Sequence, residues 1–127
     1  MFPENLKYNN DYSWFKEEDG LVTVGIIGPA AKKVEEFIFI MLPVVGEKKS
    51  KGETYVTLEA IKWSGHLSVP FDCEIVEVND AIFDEPTLVN EDAYANWIAK
   101  VKPLSSFDDE LIKSEEAHEH YKEELEL

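Results

Sequence analysis

The chain has 127 residues, 44% of them hydrophobic, which is enough apolar material for one core, so residues 1–127 read as a single domain. Its formal charge is −15, with twelve lysines and no arginine, so no basic patch is available to neutralise nucleic-acid phosphates or an anionic membrane. Such acidity favours solubility and steers a protein toward basic docking surfaces on partner proteins.

Met1-Phe2-Pro3-Glu4-Asn5 lacks the basic region and following apolar run of a secretory signal. The longest apolar stretch, Phe37 to Val45, is too short to span a bilayer. Cys73 is the only cysteine, so no intrachain disulfide can form and a reducing compartment is favoured. In its strand pattern it reads as a small buried hydrophobe. These features predict a soluble, cytoplasmic protein.

In chain order, Ser13–Glu18 and Leu21–Ile27 flank Asp19-Gly20, a hairpin signal because both turn residues tolerate positive φ. Gly28-Pro29 breaks the strand, and Ala30–Glu36 reads as a short helix with Pro29 near its first turn. Phe37–Leu42 is expected to be a strand buried on both faces, stopped by Pro43. A polar loop bounded by Gly46 and Gly52 follows, and then Glu53–Leu58 alternates as a strand. The run Glu59-Ala60-Ile61-Lys62-Trp63-Ser64-Gly65 leads into a second extended stretch that ends at Val69-Pro70. Cys73–Val78 alternates as a half-exposed strand, 79–92 reads as acidic loop around Pro86, and Trp97–Val101 is a final strand closed by Pro103.

A C-terminal helix over 106–125 can be capped by Ser105 or Ser106 with Asp108 or Asp109. Phe107, Leu111, His118, Tyr121 and Leu125 share one face of it. Nine acidic residues against two lysines after position 107 make it a solvated, acidic helix. His118 and His120 are too close for one helical face and have no third ligand, so no metal site is expected. Many short strands with one terminal helix predict a mainly β sandwich or barrel.

Lys62 then stands at the tip of a hairpin, reachable from all sides, where a covalently attached swinging arm would be placed. Most exposed lysines carry no such role, so the surrounding pattern decides. Leu6-Lys7-Tyr8 with Trp14, Val22-Thr23-Val24-Gly25-Ile26, Leu42-Pro43, Val45-Gly46 and Lys51-Gly52-Glu53 precede it. Glu59 stands three residues before Lys62; Pro70, Glu74–Asn79, Pro86, Leu88, Asn90-Glu91-Asp92, Trp97 and Lys102-Pro103 follow. In this order and spacing the chain resembles the H-protein family of the glycine cleavage system, which are lipoyl carriers, from Leu6 to about Tyr121.

The resemblance implies a mainly β fold, a lipoyl/biotinyl-type barrel-sandwich hybrid of two small antiparallel sheets with a short internal helix added. It also implies a lipoyl group on Lys62, whose two sulfurs cycle between disulfide and dithiol. No side chain then needs to be an acid or base, and the protein is a carrier, not an enzyme. Biotinyl domains share the architecture but typically flank their lysine with methionines, whereas Lys62 has Ile61 and Trp63. Glu59, Ile61 and Trp63 match positions where a lipoate ligase or a lipoyl/octanoyl transferase would recognise the hairpin. Glu59 can equally be an ordinary strand carboxylate, and Trp63 can shield the arm, meet a partner or be a half-buried strand residue.

The family's loaded arm folds into a cleft where polar groups hold its amine. Here Tyr12-Ser13 stands in place of the family His-Glu, Gly28-Pro29 in place of Asp-His, and His66 in place of an Asp. Ser13, Pro29 and His66 are therefore the expected cleft positions, each stripped of a group that would bind a protonated amine. That loss favours an H-protein-like lipoate-binding protein serving a cytoplasmic heterodisulfide-reductase-like complex in sulfur oxidation. The alternative is an H-protein working with the glycine cleavage enzymes, dihydrolipoamide dehydrogenase among them. An adaptor whose lysine is never modified and a relay in lipoate supply also stay open.

Overall fold

The computed structural model describes residues 1–127, the side chain of Asp108 excepted. Asp19 and Gly20 both take positive φ, 53° and 81°, which lets β2 (Ser13–Glu18) turn directly back into β3 (Leu21–Ile26). Together with β1 (Lys7–Tyr8), β5 (Lys48–Lys49), β8 (Cys73–Val78) and β9 (Ala99–Pro103) they form a six-stranded sheet ordered β1-β2-β3-β9-β8-β5. A three-stranded sheet holds β4 (Phe37–Met41), β6 (Thr54–Ala60) and β7 (Trp63–Ser68), ordered β4-β6-β7. All the pairings are antiparallel. Val24, Ile26 and Ile75 from the larger sheet and Ile40, Leu58 and Leu67 from the smaller one enter a single buried core. The expected pair of antiparallel sheets is present, the larger with six strands.

Several elements differ from their sequence expectations, each for a local reason. The internal helix, α1 (Gly28–Lys33), begins earlier than Ala30 and stops before Glu36, because Glu35 turns left-handed at φ 69° and ends it. Pro29 does sit in its first turn. The strand β4 is not buried on both faces. It is a sheet edge, and a bulge between Phe37 and Phe39 inserts Ile38 as an extra residue. Phe37 and Ile40 therefore point inward, while Ile38 and Met41 point to solvent.

The stretch read as acidic loop contains two short helices, α2 (Asp80–Asp84) and α3 (Thr87–Glu91), each pinned by one fully buried side chain, Ile82 and Val89. Five residues are too few to show helical periodicity. The last strand starts at Ala99; Ile98 just before it is fully buried, with its amide donating to the Val24 carbonyl and its carbonyl accepting from the Asn79 amide.

The C-terminal helix is shorter than 106–125. Tyr8 and Ile112 exchange both backbone hydrogen bonds at 2.8 Å, which holds the chain extended there. A 3-10 turn over Asp108–Glu110 precedes that bridge, and α4 (Ser114–Tyr121) follows it. Lys113 occupies the N-cap position of α4, so neither Ser105 nor Ser106 caps that helix, and the Asp108 carboxylate lies outside the described residues. The helix buries Ala117 and Tyr121, whereas His118 is exposed and meets the Phe2 ring edge-on. Among the described residues no helix is long and apolar enough to cross a membrane.

Gly25 and Trp14 are paired across β2 and β3, and the indole lies directly over the glycine while its Nε1 donates to the Ala93 carbonyl at 3.2 Å. A Cβ at Gly25 would sit 2.6 Å from that ring. Gly25→Ala is expected to lower unfolding stability by about 1–3 kcal/mol through overpacking, read by denaturant titration; unchanged stability would contradict this packing. Cys73 is fully buried, and burial pushes its thiol up to about 11. Alkylation by iodoacetamide near neutral pH should therefore be slow in the native protein and fast in denaturant.

Candidate functional site

Lys62 stands at the apex of the β6–β7 hairpin. Ala60 pairs with Trp63, so Ile61 and Lys62 alone make the turn. The register below it is fixed by burial: Ala60, Leu58 and Leu67 point into the core, and Phe37 and Ile40 of β4 lie against them. Lys62 is exposed and engages no carboxylate among the described residues, while Lys16, Lys33, Lys49, Lys51, Lys100 and Lys122 each do. A primary amine this accessible, on a turn this short, fits a covalent acyl group without breaking an ion pair among the described residues.

The residues around the lysine divide between the two faces of the hairpin. Glu59 and its cross-strand neighbours Phe39 and Ser64 point away from the core. Ile61, 69% exposed, projects from the turn itself. Trp63 turns the other way, 39% exposed, and meets Phe37 edge-on with ring centroids 6.4 Å apart. Its indole covers Gly65 so closely that a Cβ there would stand 2.5 Å from the ring. Gly65 is thus what allows the indole to lie flat, and the sequence reading did not single it out.

Beside the hairpin opens a cleft of about 1460 Å3. Residues 61–67 form one wall, with Ile26, α1 and the α1–β4 connection opposite, and Thr87, Asn90 and Glu91 of α3 closing one end. Asp11, Tyr12, Glu124 and Leu125 complete it. Of the three expected cleft positions, only His66 lines it. Ser13 is fully buried, with its amide donating to Asn9 Oδ1 at 3.1 Å and its hydroxyl beside the Tyr55 hydroxyl at 3.2 Å. Strand alternation turns Ser13 inward and leaves its neighbour Tyr12 on the cleft. Pro29 is half-buried in the first turn of α1 and leaves the lining to Ala30.

Tyr12 adopts φ 59°, an unfavourable conformation for an aromatic residue, and three hydrogen bonds hold it there. Its amide donates to the Tyr121 hydroxyl at 2.9 Å, its carbonyl accepts from the Ile27 amide at 2.8 Å, and its own hydroxyl donates to the Glu124 carboxylate. Lys33 Nζ donates to the Glu124 carbonyl at 3.0 Å and pairs with Glu126 at 3.7 Å. The C-terminal residues are thereby tied across the mouth of the cleft. The resemblance flags Tyr12 only as a departure from the family His; Lys33 and Glu124 carry no sequence signal, since one lysine in a short helix and one glutamate in an acidic run look ordinary.

The cleft is acidic. Asp11, Glu35, Glu36, Glu91 and Glu124 line it against two lysines, Lys33 and Lys62. Asp11 is already engaged, accepting from the Ser68 amide and hydroxyl at 2.7 Å each. The carboxylates that the sequence comparison counted as lost at three positions have counterparts from other parts of the chain.

Residues 6–124 match the family model described as glycine cleavage H-protein. A probable glycine cleavage system H protein of Thermococcus gammatolerans is 41% identical over 96% of this chain and 92% of its own length. The glycine cleavage system H protein of Bacteroides thetaiotaomicron is 37% identical over 92% and 94%. The crystal structure of a glycine cleavage system H protein from Mycobacterium marinum superposes with a TM-score of 0.84 at 32% identity, covering 98% of this chain and 99% of that one. With a matching family model, relatives and fold, the chain belongs to the glycine cleavage H-protein family, non-catalytic carriers that bear lipoate covalently on a lysine.

Proposed function

We propose that residues 1–127 act as one lipoyl carrier unit, acylated at Lys62 and serving glycine cleavage by carrying an aminomethyl cargo from the decarboxylase to the aminomethyltransferase. The observation that carries this reading is the position of Lys62, an exposed amine on a two-residue turn at the rim of an acidic cleft. A lipoyl amide there supplies a disulfide that opens to a dithiol. The protein holds the attachment point still, offers a cleft on one side and leaves the other side of the hairpin free. A protonated amine entering that cleft meets an excess of carboxylates, of which Glu124 is oriented by Tyr12. Charge-assisted hydrogen bonds of this kind are roughly twice as strong as neutral ones.

The sequence alone favoured a carrier for a heterodisulfide-reductase-like sulfur oxidation system, on the ground that the cleft had lost its acidic groups. Neither the acidic cleft nor the named relatives lend that reading support. Lipoate ligase or a lipoyl/octanoyl transferase would approach the exposed hairpin, with Glu59 and Ile61 presented on its outer side and tip. Dihydrolipoamide dehydrogenase would reoxidise the dithiol. A cytoplasmic setting accords with the single buried thiol.

Intact-mass measurement of protein purified from its native host should find the lipoyl adduct on the wild type and not on Lys62→Ala; wild-type protein never acylated would sink the reading. Holo-protein should also accept and donate the aminomethyl group with the glycine cleavage enzymes of the same organism, and failure there would remove the pathway while leaving the modification. Gly65→Ala must push the Trp63 indole off its seat. It is expected to shift tryptophan emission and to shorten the lifetime of the loaded form roughly threefold to tenfold, in line with the ~0.5–1.5 kcal/mol of an aromatic contact.

A further inference from the structure

The three-stranded sheet has an apolar outer border that carrier chemistry does not use. Ile38 and Met41 of β4 are 54% and 55% exposed, and Phe83 of α2, 51% exposed, meets the half-buried Phe39 edge-on at 5.9 Å. Val44 and Val45 continue the border past Pro43. None of these residues lines the cleft. The bulge at Ile38 resets the alternation of β4, so that Ile38 and Phe39 leave the core and Ile40 returns to it. Monomeric proteins seldom leave a contiguous apolar patch of this kind uncovered unless it binds something.

Charge selects the occupant. Glu59 stands directly across from Phe39, and Asp80, Asp84 and Glu85 surround Phe83 in sequence, all exposed. Neither residues 34–47 nor residues 63–99 contain a lysine or arginine. A second copy of this chain would bring a like-charged rim against this one, which disfavours self-association through this face. A surface with an apolar recess ringed by lysine and arginine would find both its components satisfied.

We infer that this border is a docking surface for a cationic-rimmed enzyme, the decarboxylase that loads the arm. The inference rests on the carrier reading above and adds where that enzyme sits. The patch lies on the outward side of β4, next to β6 and the turn that carries Lys62, and shares no residue with the cleft. An enzyme seated on β4 reaches a group extended from Lys62 while the cleft stays open to receive that group afterwards. That arrangement suits loading, because the docked partner does not block the shelter.

The test uses lipoylated full-length protein as substrate for the decarboxylase of the same organism, comparing wild type, Ile38→Ser/Met41→Ser and Leu104→Ser. Leu104 is an exposed apolar residue outside this border. For the double variant, KM should rise roughly tenfold with kcat kept, as for loss of two interface-centre side chains, while Leu104→Ser should behave as wild type. Added salt should raise the wild-type KM as the charged rim is screened. An unchanged KM in the double variant, or an equal rise in Leu104→Ser, would overturn the inference. So would a wild-type dimer in sedimentation that the double substitution dissolves. No turnover of wild type at all would instead sink the carrier reading and this partner with it. Circular dichroism checks the fold, and Phe83→Ser, on a different element, reports on the same surface if the β4 variant unfolds.

Discussion

The structure depends on the register between β6 and β7. With Ala60 opposite Trp63, Leu58 and Leu67 fall on the core side, and Glu59 and Ser64 fall on the other. A slip of one residue would invert every one of these positions. Each large apolar side chain turned outward forfeits about 1.5–3 kcal/mol, so losing Leu58 and Leu67 while burying Glu59 would consume much of a domain's total stability of about 5–15 kcal/mol. Hydrophobic burial well below the turn therefore decides which residue stands at its apex. Lys62 is presented by the core, and among the described residues no ion pair holds it in place.

The same register sorts the residues around Lys62. Trp63 belongs to the inward set and, like Ser64, Gly65 and His66, lines the cleft, whereas Glu59 belongs to the outward set and lies outside it. Among the described residues the cleft takes its lining from β7, the edge strand of the sheet, and none from β6. Gly65 takes part because its missing side chain leaves the indole its seat.

Much of this was legible in the sequence where a short-range rule applied. Asp19-Gly20 marked a hairpin because both residues tolerate positive φ, and Lys62 was visible because two alternating runs bracket it. Legibility failed where a distant partner decides the local conformation. Phe37–Leu42 reads as a doubly buried strand because its composition is uniformly apolar; only the bulge and the absence of a strand beyond β4 expose Ile38 and Met41. The C-terminal helix was drawn too long because nothing near Ile112 announces that Tyr8 will claim its backbone. Likewise the resemblance puts Ser13 in the cleft because it stands where the family has a glutamate, yet the pleat turns it into the core.

The cleft shows the same limit in electrostatic form. Comparing positions one by one counted three lost polar groups and so argued for a different cargo. A bound charge, however, responds to the sum of the charges around it and not to their places in the chain. Glu124 is 112 residues from Tyr12 and shares a hydrogen bond with it; Glu35 and Glu36 follow a helix, and Glu91 ends another. Together they make acidic a cavity whose familiar positions are not. Which residue supplies a carboxylate can drift while the field at the cleft persists, so a missing group at one position weighs little until its spatial neighbours are known.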